Sequence, residues 1–303
     1  MSGFGFPLVQ FIIPLLAAPL LPGIANRVKA MAAGRRGQPL LQGYYDLAKL
    51  LAKGSVYSRT TTWIFRAGPT LGCAAVVTAL AILPWAGVPA FIAFDGDIVL
   101  FAGLFGLARF ITILAALDTG SAFEGMGASR EAWFSALTEP ALLLALAAAA
   151  RLSGSLSLSG MLIGGGVGGG AGAALLLAAG AAFVVFLTEN ARIPVDDPTT
   201  HLELTMIHEV MVLDHGGVDF AFIQYGAMLK LWAFGALAAS LLVPRFSAPW
   251  LDLAVALAAM LLVAAGTGFV ESVMARLRLA RVPQLLVAGI AMAALALALA
   301  LVR

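Results

Sequence analysis

The sequence predicts an all-α, polytopic membrane protein, and three observations carry that expectation. Of the 303 residues, 61% are hydrophobic and only 11% charged, with a mean hydropathy of +0.99; a soluble domain is about 25% charged. Nearly uncharged runs of about 18 residues or more recur along the whole length, enough to cross roughly 30 Å of hydrocarbon as helix. The runs do not alternate apolar with polar residues, which argues against the short strands of a membrane β-barrel.

Taken in order, the runs give about eight spanning segments, near residues 6–28, 64–87, 97–117, 132–151, 168–188, 218–243, 250–274 and 283–302. The first has no basic residue ahead of it and reads as a retained membrane helix rather than a cleaved secretory signal. Neither an internal repeat nor a second, soluble domain is visible, so residues 1–303 are expected to form a single membrane domain. The glycine-rich stretch 164–172, GGGVGGGAG, lacks the Lys-Ser/Thr pair and preceding strand of a phosphate loop. It reads as a flexible lead-in to the fifth span, with close packing through small residues.

Thirteen of the 18 basic residues fall in or beside the connections between segments 1–2, 3–4, 5–6 and 7–8, against three on the opposite side. The positive-inside rule then puts those four connections in the cytoplasm and both termini on the outer, periplasmic side of a bacterial inner membrane. Cys73 is the only cysteine. One thiol holds neither an iron–sulfur cluster nor a nickel–iron centre, so any redox metal is expected in another chain.

The chemistry concentrates in one connection. Residues 188–217, TENARIPVDDPTTHLELTMIHEVMVLDHGG, hold six of the 16 acidic residues and all three histidines. Pro194 and Pro198 exclude a regular helix across its first part. From Thr199 or Thr200 onward a short helix is expected, with Thr200 as N-cap and Glu203 three residues later, ended by Gly216 and Gly217. Leu202, Met206, Ile207, Val210 and Met211 make the segment too apolar to lie loose in water. Its acids, Glu189, Asp196, Asp197, Glu203, Glu209 and Asp214, are therefore expected to be partly desolvated, which raises carboxyl pKa values and favours proton exchange. A solvated, well-capped loop is the plainer alternative. His201, His208 and His215 are seven residues apart, about 10 Å along a helix. That separation argues against one metal site and favours proton movement or hydrogen bonding.

The stretch ENARIPVDDPTTHLEL resembles the signature loop of the complex I subunit 1 family, a membrane component of NADH–quinone oxidoreductases, with Glu189, Arg192, Pro194, Asp196, Glu203 and Leu204 on its positions. RRGQPLLQGYYDLAKLLAKGSV is similar to the family's first loop, with Arg36, Gly43, Asp46 and Lys49 in place. LDTGSAFEGMGASRE and FVESVMARLRLARVP look more like one branch, the membrane subunits of formate hydrogenlyase and hydrogenase-4-type complexes. The likeness covers nearly the whole chain. It departs from complex I where three alternating acids precede the leucine: Thr199, His201 and Glu203 stand there, so two carboxylates are missing. That weakens quinone chemistry of the complex I type and leaves proton coupling open through His201 and Glu203.

Within or beside the spans, Arg109, Glu139, Glu189, Lys230 and Glu271 each cost about 2.5–3.5 kcal/mol near a bilayer centre. Glu189 and Glu271 suit an interfacial position in which they snorkel or form ion pairs, whereas Lys230 is the thirteenth residue of its 26-residue span. Lys230, Glu139 and Glu271 are expected in a buried polar path, of the kind the resemblance implies toward antiporter-like neighbours. Asp118, Glu124, Arg130 and Glu131 fall in the short third connection, whose Gly120, Gly125 and Gly127 allow tight turns; a cavity wall and a plain polar loop are equally open readings. The first connection reads as an interfacial amphipathic helix around Asp46 and Lys49, facing either lipid headgroups or a docked subunit.

The function expected is a membrane anchor and proton-coupling subunit of a formate-hydrogenlyase or hydrogenase-4-like complex, without a cofactor or catalytic centre of its own. Its partners would be a nickel–iron hydrogenase-like large subunit and an iron–sulfur small subunit on the cytoplasmic side, antiporter-like membrane subunits and the bilayer; nucleic acid is not among them. The alternatives are the quinone-site subunit of a complex I-type enzyme, in which quinone binds, and a stand-alone secondary transporter.

Overall fold

A computed structural model describes residues 5–164, 172–196, 206–244, 246 and 248–302. Those residues form eleven α-helices and no strands: α1 (Gly5–Ala17), α2 (Leu20–Ala32), α3 (Gln42–Leu51), α4 (Trp63–Ile82), α5 (Asp97–Asp118), α6 (Ala122–Ser153), α7 (Leu158–Gly164), α8 (Gly172–Glu189), α9 (Gly217–Leu242), α10 (Pro249–Val273) and α11 (Val282–Leu301). Seven segments are long and apolar enough to cross a membrane, starting at α4, and α1 with α2 makes an eighth if the pair is one span.

That first span differs from the continuous helix expected. It bends by 49° between α1 and α2, because Pro19 offers no backbone N–H and its ring clashes with the preceding turn. The fourth span also differs, at its start. Of the three glycines expected to make turns, only Gly120 has a left-handed φ, at +70°. Gly125 and Gly127 lie within α6, whose 32 residues are about 48 Å long and overreach the hydrocarbon core. At Gly127 a Cβ would sit 2.4 Å from Val210 Cγ1, so the missing side chain lets the 188–217 connection pack against α6.

The helices are fixed at their ends by local chemistry. Thr62 caps α4 by accepting from Ile64 N–H, and Asp118 Oδ2 accepts from Thr62 N–H (2.6 Å) and Oγ1–H (3.0 Å). Pro249 and Pro283 start α10 and α11, where a missing N–H costs nothing. On the opposite side Asp97, fully buried, accepts from Leu158 N–H (2.6 Å) and Ser157 Oγ–H (2.9 Å), tying α5 to α7.

Small residues set the close approaches, as is usual where lipid supplies no hydrophobic drive between helices. α11 lies on α6 and α8 through Ala145, Ala148, Ala178, Ala181, Ala293 and Ala296. α10 lies on α2 at Gly268, where a Cβ would stand 2.3 Å from the Ala25 carbonyl oxygen. A third approach joins the end of α3 to the start of α9. Gly217 has φ +56° and would place a Cβ 2.6 Å from the Gly54 carbonyl oxygen, while Ser55 Oγ–H donates to the Gly216 carbonyl at 3.0 Å.

Candidate functional site

At the end of the bundle that carries the 188–217 connection lies a cavity of about 440 Å³ between α2, α3, α4, α5 and α9. Its apolar walls come from Val76, Phe105, Met228 and Leu231, and its polar wall from Asp46, Arg109, Glu131, Arg192, Asp196, His208, Glu209 and Lys230. Cys73, buried on α4, also faces it.

Arg109 is the centre of the polar wall. An apolar α5 carries it into the bundle, where one guanidinium meets three carboxylates from two other helices. Nη2–H donates to Glu189 at the end of α8, Nη1–H donates to Glu139 on α6, and Nε lies 3.2 Å from Glu131 Oε1 on α6. Lys230 Nζ on α9 is 3.6 Å from the second Glu189 oxygen. A buried charge is tolerated when it is paired and hydrogen-bonded, and the planar fork of arginine suits several carboxylates at once.

His208 extends the cluster into the loop. Its Nε2 lies 3.2 Å from Glu131 Oε2 and its Nδ1 3.5 Å from Asp196 Oδ2. Asp196 Oδ2 also accepts the backbone N–H groups of Ile207 (3.0 Å) and His208 (3.2 Å), and Oδ1 accepts from Arg276 Nη2–H (2.9 Å). Burial pushes the Asp196 carboxyl up, but the His208 and Arg276 contacts outweigh it and hold the pKa below the usual carboxylate range. For His208, burial favours the neutral ring; the Glu131 charge and the Asp196 hydrogen bond overcome that and raise its pKa above the ordinary value. The general rise expected for the loop acids is thus corrected at Asp196, because the cations that surround it were not legible in a local stretch. His215 goes the other way. It stacks on Phe65 with ring centroids 3.9 Å apart, and burial lowers its pKa.

A second cluster sits between α2, α10 and the turn after α8. Arg192 Nη1–H donates to Glu271 Oε1 at 3.2 Å, and Lys29 Nζ is 3.6 Å from Glu271 Oε2. Glu189 and Glu271 are therefore buried and ion-paired inside the bundle; of the snorkelling and ion-paired positions open to them, they take the second.

The remaining sequence-derived residues divide plainly. Glu139 and Lys230 join the Arg109 cluster, although the Glu139 side chain is 50% exposed and not buried as expected. Asp46 lines the cavity, with one oxygen accepting from Gln42 Nε2–H at 2.8 Å. Arg130 Nη1–H donates to the Met206 carbonyl (2.8 Å), and the buried Glu124 accepts from Asp214 N–H (3.0 Å), so both fasten the loop to α6. Asp118 caps α4. Arg36, Lys49 and the Asp214 side chain are exposed and stand apart from the cluster. His201 and Glu203, with the capping box expected around Thr200, lie outside the described residues. From Met206 onward the helix expected is a single 3-10 turn, Glu209–Val212. Among the described residues, no three His, Cys, Asp or Glu side chains are placed to hold a metal ion.

Sequence reasoning missed two members of the cluster, Glu131 in its cluster role and Arg276, and it gave His208 proton movement or hydrogen bonding without its partners. It saw Arg109 only as a costly charge. An arginine within an apolar span demands carboxylate partners, and counting acids at matching depth in the other spans was the signal available.

A bundle of about eight spans with a charged, cavity-facing wall at one end is the architecture of a polytopic membrane subunit. The chain matches the family described as NADH dehydrogenase over residues 6–302, and it belongs to that family. It is 33% identical to formate hydrogenlyase subunit 4 of Escherichia coli K12, over 96% of each chain. It is 31% identical to hydrogenase-4 component C of the same organism, over 96% of this chain and 94% of the relative. Its fold matches a chain in the structure of the membrane-bound sulfane sulfur reductase, an archaeal respiratory membrane complex. There the TM-score is 0.83 at 23% identity, covering 99% of this chain and 100% of the other.

Proposed function

We propose that this chain is the membrane anchor and proton-coupling subunit of an energy-converting redox complex of the hydrogenase type, multi-pass in a bacterial inner membrane with both termini outside. A soluble arm carrying nickel–iron and iron–sulfur centres docks on its cytoplasmic connections, and antiporter-like subunits lie beside it in the membrane. The observation that carries this reading is the Arg109 cluster. It joins ionisable groups on α5, α6, α8 and α9 to Asp196 in the loop, so a change of charge or position at the loop is felt by carboxylates within the spans. The names of the two Escherichia coli relatives support the hydrogenase type. Glu189, Asp196, Glu209, Asp214, Lys230, Glu139 and Glu271 are the proton-coupling candidates within the described residues, with His201 and Glu203 beyond them.

One observation favours a second reading, a quinone-site subunit. The cavity of about 440 Å³ falls within the roughly 300–1,000 Å³ of small-molecule sites and pairs apolar walls with a few polar groups.

The test is purification of the tagged chain in mild detergent, with its partners identified by mass spectrometry and nickel and iron quantified on the same sample. Nickel and iron with a large metal-binding subunit are expected. Iron without nickel moves the assignment to the quinone reading, and a metal-free protein that is intact alone overturns both. In the assembled complex, Glu189→Gln is expected to abolish proton translocation; unchanged translocation removes Glu189 from the path.

A further inference from the structure

The ion pairs around Arg109, among the described residues, gather more carboxylates than permanent cations. Among the described residues, four carboxylates (Glu131, Glu139, Glu189 and Asp196) are joined to three permanent cations, Arg109, Lys230 and Arg276. The other described member is His208, and it stands between two of those carboxylates, with Nε2 toward Glu131 and Nδ1 toward Asp196. A neutral imidazole has one N–H and one bare lone pair. Set between two ionised oxygens, it must aim that lone pair at a carboxylate. Only the imidazolium presents an N–H on both sides, 3.2 Å from Glu131 Oε2 and 3.5 Å from Asp196 Oδ2, and it adds a positive charge between them.

We propose that His208 is the proton-carrying residue of this network, an imidazolium at rest that exchanges its Nε2 proton with Glu131 and so links the loop centre at Asp196 to the carboxylates on α6 and α8. This rests on the coupling role argued above for its physiological consequence, and adds the group that moves. In the step, the Nε2–H bond breaks and an O–H bond forms on Glu131 Oε2, 3.2 Å away. An ion pair becomes a neutral pair, and the freed Nε2 lone pair takes its next proton from solvent in the cavity, which both residues line. Asp196 is the worse acceptor, because Arg276 and two backbone N–H groups already hold its charge. Protonating Glu131 removes one of the three carboxylates on Arg109, which strengthens the guanidinium's hold on Glu139 and Glu189. The charged groups around the ring are Glu131 on α6, Lys230 on α9, Glu189 on α8, and Asp196 with its partner Arg276; Arg109 on α5 acts through Glu131, and Glu209 follows in sequence. Lys230 opposes the cationic ring and the carboxylates favour it.

Two measurements test this. In the full chain labelled with ¹⁵N-histidine and held in lipid nanodiscs, the imidazole nitrogen shifts report which rings are charged, and the signal lost in His208→Gln assigns this one. An imidazolium is expected at pH 7.5, becoming neutral in Glu131→Gln at the same pH. A neutral tautomer in the unsubstituted chain overturns the proposal.

The second uses the assembled complex in vesicles, driven by reduced methyl viologen, with proton movement read by a pH-sensitive dye. His208→Gln keeps hydrogen-bonding capacity without charge, and His208→Arg keeps charge without releasing a proton near neutrality. Both are expected to lose at least about tenfold in protons moved per turnover while redox turnover stays within about twofold. If His208→Arg translocates normally, His208 is a fixed structural charge and the proposal fails. If Glu189→Gln uncouples the complex and the His208 variants do not, the coupling reading stands and this inference falls. If all three leave translocation unchanged, the coupling reading falls with it.

Discussion

Replacing Arg109 by methionine is the most informative single perturbation, since methionine keeps an unbranched apolar stem but stops short of the carboxylates and brings neither charge nor N–H donors. It leaves Glu131, Glu139 and Glu189 without their shared cation. Lys230, 3.6 Å from Glu189, is the remaining cation in contact with that carboxylate. Breaking a buried ion pair by removing one partner costs about 3–5 kcal/mol. The contact with Glu139 adds little, because that side chain is half exposed and screened pairs contribute about 0–1 kcal/mol. The expected loss is therefore about 3–5 kcal/mol, carried by Glu131 and Glu189. At about 1.4 kcal/mol per tenfold, the unfolding equilibrium shifts by roughly two to three and a half orders of magnitude. The assay is reversible denaturation in mixed detergent micelles, followed by tryptophan fluorescence. A double variant, Arg109→Met with Glu189→Gln, is expected to recover part of the loss, because the uncompensated charge is gone. An Arg109→Met protein within about 1 kcal/mol of the original would refute the view that this guanidinium holds the bundle's acids.

Two further outcomes follow from the same geometry. For pH, the raised His208 pKa gives stabilisation that is complete below the unfolded value of about 6.5 and disappears as pH climbs through the folded value. The lowered His215 pKa stabilises above about 6.5 and that is lost as pH falls toward the folded value, while the Asp196 contribution survives until pH drops through its own depressed value. Melting temperature against pH should accordingly lose its alkaline decline in His208→Gln, and a curve identical to the parent's would count against the contacts described. Gly268→Ala should loosen α2 from α10 at a cost of about 1–3 kcal/mol, since its Cβ would stand 2.3 Å from the Ala25 carbonyl oxygen; an unchanged denaturation midpoint would mean the two helices are not held that close.

The spans were legible because hydropathy over about 20 residues is a local property, and α4, α5, α9, α10 and α11 fall close to where the runs put them. The bend at Pro19 and the start of α6 were not. Proline and glycine act through their surroundings: Gly127 sits in a helix with Val210 packed where its side chain would have been, while Gly125, in the same helix, has open space beside it. The site was half legible for a similar reason. Glu189, Asp196, Lys230, Glu139 and Glu271 announced themselves as charges in apolar company. Their partners did not, since Arg109–Glu189 and Arg276–Asp196 each bridge 80 residues of chain that no periodicity connects. His208 was visible as a histidine, yet its meaning depends on two oxygens, one on α6 and one twelve residues earlier in the loop, at Asp196.

The junction of Gly54 with Gly217 gives the bundle a mechanical character. α3 and α9 meet there with no side chain between their backbones, and Ser55 bolts the contact. Such a joint transmits displacement instead of absorbing it. A body seated on the exposed outer face of α3 bears on the first turn of α9 as on the short arm of a lever, and Lys230, thirteen residues further along that helix, rides on the long arm beside Glu189.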